Sequence, residues 1–580
     1  MTNWDKNGAK VLHEVLLDHG VEYVIGMDSP EPFYEVVARE KQKIKPILIH
    51  HEAMGALMAT GYAETSCKPG ICTGDVGAGS TNLVTGIAEA YKSSQPVVVL
   101  SGGSPVDTED KNPAQGIDQV TLFQSITKAS IDVRDPNKID KFVREAFKIA
   151  TSGRPGPVFL NFRPEALEEG EIDYKSRPEI QFSTVPAVRV TPRQDAIDNA
   201  AKLLLSAERP CIIAGGGAMM SQCGDELIKL AELLQIPVTT TIMAKGLFPE
   251  THELSLGAIG AYITGKVGHG VISKTIVQEA DVVLLIGTKT DEMSTTGWRY
   301  PTPDSKIIHI DIDPVEIGRN YDTKVAIVAD AKMALISLYN TIKNSKNRRK
   351  GASRVQKILK LEKQWEDVNR DGSISDRIPI RMHRLIAEIE KFVDKDTIVA
   401  SDASQCSAWA ASHIKAKNKN PSKSFVQPRG LGALGMAVPL SLGAQLAEPD
   451  KRVFCINGDG GFLVGQVQEL ETALRYELNT VTFILNNQVL GGNTIVEEMI
   501  MNNYDHEANF TNIDFAKVAE GFGCCGITVE RPGEIEEAIK QALNCGKPAL
   551  IDVKLGFGTK ELLRDQFEVV SLGIWGGDDY

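Results

Sequence analysis

The sequence predicts an α/β protein made of three doubly wound parallel-sheet domains in series. Short runs rich in Val and Ile, bounded by Gly or Asp, alternate with helix-compatible stretches, which is the pattern of strands covered on both faces. That pattern occurs three times along the chain. The length of 580 residues suits three or four domains at roughly 100 to 200 residues each, and 42 % hydrophobic with 24 % charged residues is an ordinary globular balance.

The first block, residues 1–170, holds VEYVIGM, KPILIHH, GICTGDV, QPVVVLSG and PVFLNF, each read as a strand. An acidic, Pro-punctuated linker follows to about residue 190. The second block, 190–345, opens with a helical stretch after Pro192 and contains PCIIAGGG, IPVTTT, ADVVLLIG and SKIIHIDID. A basic stretch, KNSKNRRKGASRVQKILKLEKQ, then reads as a solvated linker or helix face. The third block, 376–560, contains DTIVASDAS, KRVFCINGDG, NTVTFILNN and KPALIDVKL, and the terminal GGDDY reads as a tail.

Composition narrows the function classes. The formal charge is 63 − 76 = −13, and no Lys/Arg run is dense enough to track a phosphodiester backbone, so nucleic acid is not the expected partner. An anionic small molecule fits if backbone N–H groups or a metal hold it. The nine cysteines have no paired zinc-type spacing, and an odd count suits a reducing compartment; they read as core thiols of a cytoplasmic protein. The start MTNWDKNGAK lacks the pattern of a secretory signal. The uncharged run between Arg429 and Glu448 contains Pro439, Ser441 and Gln445; it reads as a buried loop and helix, not a membrane span.

Three Gly-rich segments follow strands: Gly77–Gly79, Gly215–Gly217 and Gly458–Gly461. Taken singly, each fits tight strand-to-helix packing as well as a phosphate. The third stands apart because Asp459 follows the strand RVFCIN, and a helix-compatible stretch leads to VTFILNN. In this βαβ unit Asp459 and the pair Asn486 and Asn487 fall at the carboxyl ends of parallel strands, where open α/β sheets bind ligands. A carboxylate with an amide oxygen suits Mg²⁺; a helix cap and a turn would use the same residues.

GDG, a gap in the high twenties, then NN resembles the metal and diphosphate motif of the thiamine-diphosphate enzymes of the acetolactate synthase-like family. HHEAMGALMATGYA and GDVGAGSTNLVTGIAEAY are similar to that family's pyrimidine-binding domain, RGLGALGMAVP to its central loop, SDASQCSAWA to its diphosphate segment, and the middle block to its central domain. The resemblance covers about residues 5–557 and implies the order pyrimidine-binding, middle, diphosphate-binding. It implies Asp459, Asn487 and the carbonyl of Val489 as metal ligands, with Gly458, Gly460 and Gly461 against the diphosphate. Gln405 reaches the same diphosphate, Gly432 accepts from the cofactor's amino group, and Leu434 is the wedge that keeps the cofactor bent. Glu52 is the carboxyl that bonds to the aminopyrimidine and promotes the tautomer that activates the thiazolium. Gln115 lies near the reacting centre.

Several positions depart from the family pattern: Leu434 where Met is common, Cys406 where His is typical, Ala114 where an aromatic precedes the Gln, and NNQVLGGNTIVEE without the usual Met and Trp. His51 precedes Glu52 at a position near the cofactor, and His269 reads as a loop histidine. AGGGA in the middle block is compatible with FAD, ADP or neither. The implied function is a thiamine-diphosphate- and Mg²⁺-dependent carbon–carbon bond-forming or -cleaving enzyme on pyruvate or another 2-oxo acid, assembled as a homodimer or homotetramer, with the pyrimidine domain of one subunit serving the diphosphate domain of its partner. The alternatives are a non-oxidative 2-oxo acid or acyl-CoA decarboxylase of the same superfamily, and a non-catalytic nucleotide-binding paralogue.

Overall fold

A computed structural model describes residues 4–41, 43–345, 352–417, 423–492 and 508–556. Among the described residues, eighteen strands form three six-stranded sheets, and every pairing within them is parallel. The first comprises β1 (Tyr23–Gly26), β2 (Lys45–Leu48), β3 (Gly70–Gly74), β4 (Val97–Gly102), β5 (Ala129–Val133) and β6 (Val158–Phe162) in the order β2-β1-β3-β4-β6-β5. The second comprises β7 (Pro210–Ala214), β8 (Val238–Thr241), β9 (Ser255–Ile259), β10 (Val282–Ile286), β11 (Lys306–Asp311) and β12 (Thr323–Val328), ordered β12-β11-β10-β7-β8-β9. In the third, β13 (Thr397–Ser401), β14 (Phe425–Val426), β15 (Arg452–Gly458), β16 (Val481–Asn486), β17 (Cys525–Val529) and β18 (Ala549–Lys554) run β14-β13-β15-β16-β18-β17.

Central strands such as β4, β10 and β16 are buried almost end to end, because helices cover both faces of a parallel sheet. Each order has an interior switch point: between β1 and β3, between β7 and β10, and between β13 and β15. Such switch points splay the connecting loops apart at the carboxyl edge and open a crevice for ligands. Glu52, Asp75 and Gly77 follow strands of the first sheet on that edge, and Asp402, Gln405 and Asp459 do so in the third.

By internal contacts the chain groups into two compact units. One contains residues 1–188 with 428–450 and 465–478; the other contains 189–427, 451–464 and 479–580. In the first unit, helix Ala437–Ala447 lies against helix Glu52–Ser66. Small residues permit this approach: a Cβ on Gly61 would stand 2.3 Å from the Leu440 carbonyl oxygen, and one on Gly443 would stand 2.0 Å from that of Met58. The helix expected of the uncharged run is there and buried, but the loop before it is not: Leu431 and Gly432 are exposed, and Ala433 and Leu434 half-buried.

The second unit holds the second and third sheets. Lys245, buried to 2 % exposure, pairs with Glu250 and lies 4.8 Å over the Phe425 ring of β14, while Glu250 also accepts from the Ala416 N–H at 2.9 Å. The basic stretch enters helix Ala352–Ser373, whose apolar side seats Ile358 and whose Trp365 donates to the Val267 carbonyl. All nine cysteines are free, and Cys72, Cys211, Cys223, Cys406, Cys455 and Cys524 are buried. No helix among the described residues is long and apolar enough to cross a membrane.

Candidate active site

Two groups of candidate residues form, one in each unit. In the first, Glu52 opens the helix Glu52–Ser66, and His51 caps that helix, its Nδ1 accepting from the Ala53 N–H at 3.2 Å. His51 therefore has a structural task at the helix entry. Glu52 is 8 % exposed, and its Oε2 accepts from Asn82 Nδ2 at 2.9 Å. The other oxygen, Oε1, faces Gly79, where a Cβ would come within 2.9 Å of it and within 2.9 Å of the Asp75 Cβ. Glycine at 79 keeps that space open.

The turn before helix Ala78–Lys92 is held by Gly77, at φ +67°. Its N–H donates to Gln119 Oε1 at 2.5 Å, and Gln119 Nε2 donates to the Gly102 carbonyl and to Asn161 Oδ1, both at 2.8 Å. Gln115 lies on the adjoining loop with its side chain exposed, and its carbonyl oxygen would be 2.0 Å from a Cβ on Gly77. The side chain that orders the turn is thus Gln119, which the sequence did not single out; a lone Gln in a polar stretch gives no signal. Gly432 adopts φ +69°, and Leu434 is only half-buried. An apolar side chain on a loop, partly open, is what a contact with a ligand would use.

In the second unit Asp459 follows β15 and opens the short helix Asp459–Leu463. Its carboxylate is 3 % exposed, accepting from the N–H of Gly460 at 2.8 Å and of Gln488 at 2.6 Å. Burial pushes this carboxyl up to about 7, against the pull of those backbone donors. It forms no ion pair among the described residues. Gly461 is obligatory, since a Cβ would lie 2.0 Å from Asp402 Oδ2. Gly458 is half-buried, and a Cβ there would be 3.6 Å from Cys406 Sγ. The Cys406 thiol is held well above its usual range by burial and then by Asp402 and Asp459, so it stands there as a neutral group where the family pattern has an imidazole.

The two asparagines differ. Asn486 Nδ2 donates to Asp552 Oδ1 at 2.8 Å and to the Ile513 carbonyl at 3.2 Å, within a network where Asp552 also accepts from the Phe515 N–H and from Lys554. Asn487 turns the other way. Its Oδ1 accepts from the Val489 N–H at 3.3 Å, and a Cβ on Gly491 would lie 3.5 Å from its Nδ2 and 2.8 Å from Gln405 Nε2. Gln405, Asn487 and Gly491 therefore border one space beside Asp459. Val489 itself is buried and bridges Asn509. The remainder of the altered segment, from Asn493 through Glu498, lies outside the described residues.

Among the described residues no group of three His, Cys, Asp or Glu could hold a metal, so a thiolate or imidazole site is not on offer. The donors are a carboxylate, an amide oxygen and a backbone carbonyl, a hard-oxygen set that suits Mg²⁺ when a diphosphate completes it. A buried carboxylate with no cationic side chain beside it among the described residues fits a bound cation, and glycine at 491 keeps Gln405 Nε2 and Asn487 Nδ2 open to a phosphate oxygen, whereas Gly460 and Gly461 pack against Phe510 and Asp402.

The middle segment behaves differently. The Gly215 N–H donates to the Ile286 carbonyl at 2.8 Å and the Gly217 N–H to that of Gly287 at 2.9 Å, and a Cβ on Gly215 would stand 2.4 Å from the Gly287 oxygen. These glycines close two loops onto each other at the switch point. His269 is likewise structural: Nε2 contacts Glu362 Oε1 at 2.8 Å, and its ring stands edge-on to Trp365.

Comparison with known proteins agrees segment by segment. Residues 6–122 match the N-terminal TPP binding domain of thiamine pyrophosphate enzymes, 197–338 their central domain, and 402–553 their C-terminal TPP binding domain. A probable acetolactate synthase large subunit of Methanococcus aeolicus is 36 % identical over 94 % of this chain and 91 % of its own. The acetolactate synthase large subunit of Corynebacterium glutamicum is 33 % identical over 95 % and 87 %, and the isozyme 1 large subunit of Escherichia coli is 30 % identical over 94 % of each. With the three domains of thiamine pyrophosphate enzymes matched in order and relatives matched nearly end to end, the chain belongs to the acetolactate synthase-like family of thiamine pyrophosphate enzymes.

Proposed function

We propose that this chain is a thiamine-diphosphate- and Mg²⁺-dependent carboligase that decarboxylates pyruvate and joins the remaining two-carbon unit to a second 2-oxo acid. With pyruvate in both roles the product is acetolactate, in keeping with the names of its relatives. The observation that carries the reading is the buried Asp459 carboxylate at the switch point of the third sheet, beside Asn487, Gln405 and three glycines. Asp459, Asn487 and the Val489 carbonyl would hold the cation, Gly458, Gly460 and Gly461 would admit the diphosphate, and Gln405 would donate to it.

Bound thiamine diphosphate supplies an electron sink for the decarboxylated donor. The chain supplies positions and protons. Asn82 fixes Glu52 through Oε2, which leaves Oε1 to carry the proton toward the aminopyrimidine. Gly432 would accept from the amino group and Leu434 would set the cofactor's bend, with Gln115 at the edge of the reacting centre. The functional domains are 1–170, 190–345 and 376–560, and the smallest active unit is a dimer. The Gly215 and Gly217 N–H groups are given to the Ile286 and Gly287 carbonyls, so a flavin in the middle domain would be held by other groups.

The test is removal and return. Protein stripped by chelation and gel filtration should lose pyruvate consumption and recover it only with thiamine diphosphate and Mg²⁺ together. Turnover that survives stripping refutes the proposal.

A further inference from the structure

Glu89 lies in the last turn of helix Ala78–Lys92, 1 % exposed, and forms no ion pair among the described residues. A carboxylate is poorly placed there for the helix itself, because the macrodipole at a C-terminus favours cations. Its two oxygens are instead used on another segment of the same unit. Oε1 accepts from the Gly430 N–H and Oε2 from the Leu431 N–H, each at 2.7 Å, and the Ser93 hydroxyl donates to Oε1. Two successive backbone N–H groups thus converge on one buried carboxylate, a charge-assisted pair that only an acceptor at both oxygens can make.

The fit is reciprocal. A Cβ on Gly430 would stand 2.7 Å from the Glu89 carbonyl oxygen, 2.7 Å from its Oε1 and 2.7 Å from Ser93 Oγ. The gripped residues lead directly into Gly432, at φ +69°, and the half-buried Leu434. Gly432 and Leu431 are themselves exposed, so packing does little to fix this stretch and the carboxylate is its anchor. The opposite end of the same helix carries Gly79 and Asn82, which border and bond Glu52.

We propose that Glu89 is a positioning residue for the reaction: it fixes the loop at Gly430 and Leu431 so that the Gly432 carbonyl and the Leu434 side chain meet the cofactor in one arrangement. This rests on the carboligase reading for its catalytic consequence, while the anchor itself does not. An amide at 89 could accept one N–H and would set an NH₂ against the other, so Glu89→Gln releases the loop with little change in volume.

The experiment has two readouts. Amide hydrogen exchange, followed by mass spectrometry on peptides covering residues 428–436 of the full-length protein without added cofactor, should show Gly430 and Leu431 protected in wild type and exchanging at least about tenfold faster in Glu89→Gln. Gly430→Ala, which crowds the same contact from the loop side, should do likewise. Unchanged protection in both variants overturns the anchor.

With thiamine diphosphate and Mg²⁺ bound, exchange of the thiazolium proton should slow by about tenfold in Glu89→Gln. In the Glu89→Gln, Leu434→Ala double variant it should be within about twofold of Leu434→Ala alone, because both act through one loop. Multiplying effects, or a wild-type rate in Glu89→Gln, overturn the positioning role. If wild type itself gives no exchange beyond that of free cofactor, the functional reading fails, and the amide protection still decides the anchor.

Discussion

Asp459 and Glu52 are both buried carboxyl groups, and their surroundings differ. Asp459 spends both oxygens on backbone donors and sits at about 7 through burial, so in the metal-free protein its ionisation is pushed up toward neutral pH. Displacement from 3.8 to about 7 corresponds to roughly 4 kcal/mol, an upper figure. The sign follows from the raised value: stability from this group is fully present below its unfolded value and is lost as pH rises through about 7. A bound cation removes that loss but must displace a proton at lower pH. Apparent Mg²⁺ affinity, measured by titration calorimetry with thiamine diphosphate present, should therefore climb up to about tenfold per pH unit from pH 5.5 and level off above about 7. A flat profile would remove Asp459 from the metal site.

For Glu52 the prediction concerns proton delivery. Glu52→Gln keeps the Asn82 contact available and the helix start intact, so binding of thiamine diphosphate should change by less than about tenfold while thiazolium proton exchange falls by about 10²-fold or more. Proton exchange followed by NMR after acid quench measures it, and a wild-type rate in the variant would show that Glu52 is not the activating group. Both carboxylates were legible because each sits in a motif with a definite spacing. Within the Asn pair, Asn487 was named through the resemblance alone; the residues by themselves left the pair open, because Asn486 is engaged by Asp552, 66 positions beyond it. Gln119 was illegible for a similar reason: its partners Gly77, Gly102 and Asn161 come from three separate strand ends.

At the scale of elements, most of what periodicity missed has one physical cause, and β9, buried throughout but interrupted by Gly257, is the exception. The strands absent from the sequence reading, β5, β9, β12, β14 and β17, all lie at sheet edges. Edge strands need cover less apolar surface, so β5, β12 and β17 are largely half-exposed, with polar residues breaking the run, and β14 is two residues long. Central strands, buried on both faces, had the continuous Val/Ile signal that made them readable. The basic stretch was read for its charge alone, and the apolar side that seats helix Ala352–Ser373 went unremarked.

That helix meets Met382–Lys391 and Gln405–His413 through aromatic side chains. Ring centroids are 4.6 Å apart for both Trp409–His413 and His383–Trp409, and 5.3 Å for Trp365–His413, while His413 Nε2 contacts Asn369 Oδ1 at 3.2 Å. Burial first, then the neighbouring imidazoles of His383 and His269, hold His413 well below its usual value. A depressed histidine gives stability that is fully present above its unfolded value near 6.5 and lost as pH falls below it. His413→Phe, which keeps an aromatic ring there, should reduce the pH dependence of urea stability between pH 6.5 and 5 by up to about 1.4 kcal/mol per pH unit. An identical slope in wild type and variant would mean that the cluster does not sense acid.

For the whole molecule, three periodic blocks foretold three sheets, yet contacts gather the chain into two compact units, with helices Ala437–Ala447 and Glu469–Arg475 joining the first sheet's unit from the third segment. Local pattern shows that a segment is an amphipathic or buried helix; it does not show which sheet that helix will cover. The small residues Gly61 and Gly443 that decide it are 382 positions apart in the chain. Glu52 and Asp459 likewise stand in different units. The most direct measurement is the fate of ¹³C-labelled pyruvate with purified protein, thiamine diphosphate and Mg²⁺, followed by NMR: acetolactate appearing with one CO₂ for every two pyruvates consumed is the predicted result, whereas acetaldehyde alone, or no consumption of pyruvate, would contradict the carboligase account.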